Sequence, residues 1–235
     1  MRTPRWYVRQ RLGSTSVVYI NPQKISVCVG TRYPGLKQRL KRLRRVLPWP
    51  LPYLYQVAMV LRYPYVLDDE LFPAGKDPRS VRKFRMLQDV WEHREQPEQS
   101  RFFREQEEEI QRQGYVRHKR HRVRSRSELQ QFIREYFLDM LYSMQRDGYL
   151  PDKTSHIGTG GHGTAFIDAR GRLVKSSGAD HRFAAAVLAG VDRGFPLEVI
   201  GIHRRWLEQN GVAPDSRGAV GQIVSLIRRA EQEHQ

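Results

Sequence analysis

Apolar side chains recur along this chain with two different periods, and the switches between them set out the expected elements. Near the N-terminus, β-branched and aromatic residues cluster between Gly and Pro breakers as Trp6-Tyr7-Val8, Ser16-Val17-Val18-Tyr19-Ile20 and Ile25-Ser26-Val27-Cys28-Val29. This predicts three short strands. From Gly35 to Leu47 the period lengthens, with Leu36, Leu40, Leu43 and Leu47 spaced by three and four residues, which predicts a helix with one apolar stripe. Pro48, Pro50 and Pro52 each lack an amide donor and argue against a helix through 48–52. Residues 53–61 then read as a core helix.

Residues 64–78 read as a loop with an acidic patch at Asp68, Asp69 and Glu70. Ser80 is expected to cap a helix running to about Trp91, with Val81, Phe84, Leu87 and Val90 inward. A second helix is expected from Ser100 to Gln113, closed by Gly114. Ser127 and Gln130 have the spacing of a capping box at the head of a long helix that ends at Gly148. Beyond it, Leu173-Val174 and Phe195 to Ile200 read as strands, with a helix from His181 to Ala189 between them. Asp180 is its expected N-cap and Gly190 its stop. A last helix over 219–233 is expected to pack on the sheet, with 232–235 frayed.

The resulting fold class is α+β: a small mixed-sheet domain with a large, helical and strongly basic N-terminal portion. Residues 1–30 supply strands that could join the sheet, 31–149 form the basic helical region, and 150–235 hold the α/β domain with its C-terminal helix.

Charge changes this picture. The formal net charge is +16, and residues 32–45 hold seven Lys/Arg with no acid. The segment 115–126 holds six more, again with no acid. Such an excess calls for a polyanionic partner, either nucleic acid or an anionic membrane surface. Lys41, Arg42 and Arg45 on the first basic helix are candidate contacts. Arg122, Arg124 and Arg126 alternate, so an extended strand would bring all three to one side. An ordinary solvated helix and a charged loop account for the same two segments. Trp49, Tyr53 and Tyr55 beside the first of them could sit at a membrane interface. No zinc-finger, Walker or helix-turn-helix spacing is present. Cys28 is the single cysteine, so no intrachain disulfide can form. No run of 18 apolar residues and no secretory leader pattern is seen, which makes a cytoplasmic location, membrane-peripheral at most, the expectation.

Candidate chemistry concentrates at the start of the Ala-rich helix. A helix N-terminus carries unpaired amides and about half a positive charge, and so attracts phosphate. His181 and Arg182 stand in that first turn, where the dipole alone favours acids. An anion bound by both side chains and amides accounts for them. A structural alternative pairs Arg182 with Asp168, Asp180 or Glu198. Upstream, Thr154 to Thr164 form a Gly-rich stretch in which Gly160, Gly161 and His162 could form a second wall of a phosphate pocket.

These residues also resemble a family. Strand, Gly178-Ala179-Asp180-His181-Arg182, Ala-rich helix, the strand containing Pro196-Leu197-Glu198-Val199, and the closing His203-Arg204-Arg205-Trp206 look like the ParB/sulfiredoxin-like superfamily. Two residues separate Gly178 from His181, where the usual motif has one. The resemblance covers about residues 150–207. It implies a small mixed-sheet domain that binds nucleotide phosphates through Gly178, Ala179, His181 and Arg182, and kinase activity in some relatives. On that footing the expected cofactor is ATP or CTP with Mg²⁺. Asp168 and Asp180 are then candidate metal ligands or bases, and His181 a phosphate donor or acid. The expected function is a nucleotide- or phosphate-binding protein, extending to a Mg-dependent phosphotransferase. A DNA-binding partition-type protein and a non-catalytic membrane-peripheral scaffold are the alternatives.

Overall fold

In a computed structural model, residues 3–72, 74–118, 121–150, 162–213 and 219–235 are described. The first helix, α1 (Arg5–Leu12), replaces the strand expected at Trp6-Tyr7-Val8. Its buried positions Arg5, Val8 and Leu12 repeat at three and four residues, so burial followed the helical period rather than the β propensity of single residues. Strand β1 (Val17–Ile20) forms as expected. The segment 25–29 does not become a strand. Only Cys28 makes bridges there, to Lys76 and to Lys175.

Helix α2 (Leu36–Val46) buries Leu36 and Leu40. Helix α3 (Leu51–Leu61) starts earlier than the prolines suggested. Pro50 is its N-cap and Pro52 lies in its first turn, where a missing amide breaks no intrahelical bond. It is not a core helix, since Pro52 is its one buried residue.

Strand β2 (Val66–Leu67) and helix α4 (Arg82–Glu92) follow. Val81, not Ser80, occupies the N-cap of α4. The Ser80 hydroxyl donates instead to the Asp77 carbonyl at 2.7 Å. Helix α5 (Arg101–Gln113) is capped by Ser100, whose hydroxyl accepts from the Phe103 amide, and stops at left-handed Gly114. A hairpin of β3 (Val116–His118) and β4 (His121–Val123) leads to α6 (Arg126–Phe132). The capping pair there is Ser125 with Glu128, two residues upstream of the expected Ser127. A π-helical segment at Ile133–Leu138 joins α6 to α7 (Asp139–Asp147), which ends at Gly148.

The remaining elements are β5 (Gly163–Ile167), β6 (Leu173–Lys175), α8 (Asp180–Leu188), β7 (Phe195–His203), α9 (Arg204–Gln209) and α10 (Val220–Glu233). The sheet is mixed, in the order β1-β7-β5-β6, with β2 also pairing to β7. Strand β7 runs parallel to β5 and to β2, and β6 is antiparallel to β5. An α+β architecture with a mixed sheet is therefore present.

The chain divides into two compact units. Residues 1–76, 162–178 and 196–235 form the sheet unit; 77–161 and 179–195 form the helical unit. In the sheet unit α10 closes against β1 and is fixed at its end. Buried His234 donates from Nδ1 to the Ala230 carbonyl at 2.8 Å and accepts the Leu173 amide at Nε2 at 3.3 Å. The expected fraying of 232–235 does not occur at His234 for that reason. In the helical unit, the small side chains Ala184, Ala185 and Ala186 let α8 pack closely against α4 and α7.

Arg5 is the least expected core residue. Only 4% exposed, its guanidinium lies 4.5 Å from the Tyr63 ring centre and 5.5 Å from that of Phe166, and Nη1 donates to the Arg32 carbonyl. Burial lowers its pKa from the usual guanidinium range to about 10. Burial also raises Tyr63 to about 12, and pushes fully buried Tyr65 up as well. The tyrosines favour their neutral form in the fold, so their contribution is whole below the unfolded value of about 10 and is lost as pH rises toward the folded one. Arg5 has the opposite sign: stability is gained as pH climbs from about 10 toward the higher pKa of the unfolded guanidinium. The stability slopes therefore oppose each other, but the phenolate spectrum isolates the tyrosines. We expect the ultraviolet phenolate titration to show a late phase that Tyr63→Phe diminishes. A single phase near pH 10, with the native near-ultraviolet dichroism retained, contradicts this.

Candidate functional site

The first turn of α8 belongs to the helical unit and starts from an unusual backbone. Ala179, at the N-cap, has φ 51° and ψ 27°, and it is the one non-glycine residue with positive φ among the described residues. That conformation costs about 1–2 kcal/mol for an L-residue with a Cβ. No side chain caps the helix, so Asp180 is not the N-cap but its first helical residue. Its Oδ2 accepts from Lys83 Nζ at 2.8 Å, which offsets the carboxylate charge at the helix start.

His181 and Arg182 follow on the same turn. The His181 ring stacks on His118 at 5.5 Å and meets the edges of Phe137 at 5.7 Å and Tyr136 at 6.1 Å. Both aromatics come from the π-helical segment, a local widening that is frequent at functional sites. Arg182 Nη1 donates to the Tyr149 hydroxyl at 3.1 Å, and that tyrosine packs edge-on to Phe195 at 4.8 Å. A phenol held in this way orients the guanidinium without contributing a formal charge. Ala179 to Arg182 are all half-buried.

The other expected residues sit elsewhere. Gly178, in the sheet unit, has φ +76°, and its carbonyl accepts from the Nζ of buried Lys175 at 3.1 Å. A Cβ there would stand 3.4 Å from Arg32 Nη2 and 3.5 Å from the His162 carbonyl, so these three positions do come together. The small-residue loop before it is fixed to β5 through Thr164 and Ser177. Gly160 and Gly161 lie outside the described residues. Asp168 is 7% exposed: Oδ1 accepts the Arg170 and Arg172 amides at 2.8 and 2.9 Å, and Oδ2 accepts Arg172 Nε at 2.9 Å. Both oxygens thus hold a turn. Glu198 is bound through both oxygens by Arg9, at 2.6 and 2.9 Å.

The expected row of Arg122, Arg124 and Arg126 is not formed by one strand. Arg122 lies in β4, with its guanidinium 5.2 Å from the Tyr115 ring centre. Arg124 follows the strand, and Arg126 is already helical and pairs with Glu107 at 2.6 Å. Lys41, Arg42 and Arg45 are exposed on α2.

The His-x-x-Trp element has a structural role. His203 accepts the Arg205 amide at Nδ1 and its Nε2 is 3.3 Å from an Asp69 oxygen, so it caps α9. Trp206 covers Gly171, where a Cβ would approach the indole to 2.7 Å.

No protein-family model, no curated protein and no solved structure matches this chain.

Sequence reasoning missed Lys83, His118 and Tyr149 around α8, and Lys175 at Gly178. Of these, only Lys175 had a local signal, as a cation directly before the small-residue loop. Among the described residues no group of three or more His, Cys, Asp or Glu could hold a metal ion. The α8 turn brings together a helix N-terminus, the Arg182 guanidinium, the His181 imidazole and an acid, Asp180, paired with Lys83.

Proposed function

We propose that this protein binds the phosphate of a nucleotide at the first turn of α8, as a ParB/sulfiredoxin-like protein. The observation that carries this reading is the strained left-handed entry at Ala179, with no side-chain cap, followed by Asp180, which is paired with Lys83, and then by two cationic residue types, His181 and Arg182. Strain of this kind persists where the surroundings over-determine it, and such sites cluster where ligands bind. Placing His181 and Arg182 at N2 and N3, behind Asp180 at N1, also sets cationic residue types against the helix dipole, and a bound phosphate offsets that penalty. Arg182 supplies the forked donor that phosphate geometry favours, with Tyr149 setting its direction.

Binding rather than transfer is what these residues support. Both Asp168 oxygens are engaged by its own turn, which does not fit a Mg²⁺ ligand, and Asp180 is paired with Lys83. Titration calorimetry tests the reading. We expect ATP or CTP to bind more tightly than the corresponding monophosphates, and the bare nucleosides not to bind. Equal binding of nucleoside and triphosphate refutes a phosphate seat.

A further inference from the structure

Helix α3 contradicts the rule that apolar helices are buried. Its eleven residues, LPYLYQVAMVL, contain no charged side chain, yet Leu51, Tyr53, Leu54, Val57 and Leu61 are all exposed and only Pro52 is buried. The exposure extends back through the preceding turn to the end of α2, with Trp49 86% and Val46 79% exposed. One continuous stretch of chain therefore presents large apolar residues to solvent, more than the scattered exposure normal for a soluble surface.

The charge beside it selects the partner. Helix α2 packs against α3 and exposes Lys37, Arg39, Lys41, Arg42, Arg44 and Arg45, with Arg44 and Arg45 next to Val46. No Asp or Glu occurs anywhere before Asp68. A nucleic acid would use the cations but leave Leu51, Leu54 and Leu61 in water. An acid-rich protein groove would need no exposed Trp49 at the corner. An anionic bilayer surface uses both sets: headgroups meet the Lys and Arg ends, Trp and Tyr settle at the interface, and the aliphatic side chains enter the acyl boundary. Among the described residues no helix is long and apolar enough to cross a membrane.

We propose that the α2–α3 corner docks this protein on anionic lipid bilayers, with Trp49 and Leu54 inserted and the α2 cations on the headgroups. This docking surface is made of residues apart from α8 and stands independently of the phosphate seat.

Cosedimentation of the intact chain with phosphatidylcholine vesicles, with and without phosphatidylglycerol, tests it. We expect pelleting with the anionic vesicles only, accompanied by a blue shift of tryptophan emission that Trp49→Phe removes. Leu54→Glu should lower vesicle affinity by roughly tenfold or more, because it puts a charge where an apolar side chain inserts. Lys41→Glu should lower it by at least about fivefold, since each basic residue near an anionic surface contributes about that factor. Both sites are exposed, and unchanged circular dichroism will show that the variants fold. The proposal is overturned by absence of pelleting, or by pelleting unaffected by Leu54→Glu. It is equally overturned by a lipid-independent dimer that accounts for the blue shift, or by pelleting that DNA abolishes without any tryptophan shift.

Discussion

Arg182→Ala is expected to weaken nucleotide binding by roughly 10- to 100-fold while leaving the free protein folded. A hydrogen bond between charged groups contributes about 1.5–3 kcal/mol, and each 1.4 kcal/mol is a factor of ten in affinity. In the free protein the guanidinium donates to the Tyr149 hydroxyl at 3.1 Å. Two companion variants separate charge from geometry. Arg182→Lys keeps the charge but not the planar fork, and should recover only part of the affinity. Tyr149→Phe removes the hydroxyl that orients Arg182, and should lower affinity severalfold without altering charge. If Arg182→Ala binds ATP as tightly as the parent chain, the α8 turn is not the phosphate seat. The readout is the dissociation constant from titration calorimetry, with dichroism confirming the fold.

The largest effect on stability is expected at Phe166. Its ring is fully buried in β5, among Tyr63, Leu67, Val174 and Ile200. It meets Phe72 edge-on at 6.0 Å and lies 5.5 Å from the Arg5 guanidinium. Phe166→Ala leaves a cavity and removes one wall of the cage around a buried cation. Truncations of this type cost about 3–5 kcal/mol, and the lost cation–π contact adds about 0.5–2 kcal/mol. For a protein of this length, at about 2–4 °C per kcal/mol, that lowers Tm by roughly 7–28 °C. Arg5→Met should relieve part of the loss in the double variant, because the two side chains share one environment. Thermal denaturation followed by near-ultraviolet dichroism checks both values. A change below about 1 kcal/mol on Phe166→Ala contradicts the packing described here.

Local signals explain which elements were legible in the sequence. The Leu36 and Leu40 stripe, the Ser100 cap with its Gly114 stop, and the ends of α7 and α8 at Gly148 and Gly190 follow from chemistry within a few residues. Strands β1, β6 and β7 were legible as compact β-branched or apolar runs between breakers. What was missed depended on distant partners. Trp6-Tyr7-Val8 has strand-like composition, but Arg5, Val8 and Leu12 found a common buried face as a helix. Ser125 and Ser127 both suit a cap, and the choice depended on Glu128 reaching back to the Arg124 amide.

The candidate site was legible only along the chain. His181 and Arg182 stood out by opposing the dipole preference, and both do open α8. Their neighbours Lys83, His118 and Tyr149 come from positions many residues earlier, and no spacing rule links them. Helix α8 itself joins the helical unit through its packing against α4 and α7, which strand–helix–strand patterning does not foretell. The left-handed Ala179 was invisible in sequence, since alanine ordinarily signals regular helix.

The central claim is that the entry to α8 seats a phosphate, and ligand-dependent melting of the intact protein tests it most directly. Anything that binds the folded state alone raises its stability with concentration. With Mg²⁺ present, at least one of ATP, CTP, ADP and GTP should raise Tm in a concentration-dependent way, and Arg182→Ala should abolish that rise. Unchanged Tm with all four nucleotides, at concentrations that saturate ordinary nucleotide sites, contradicts the account.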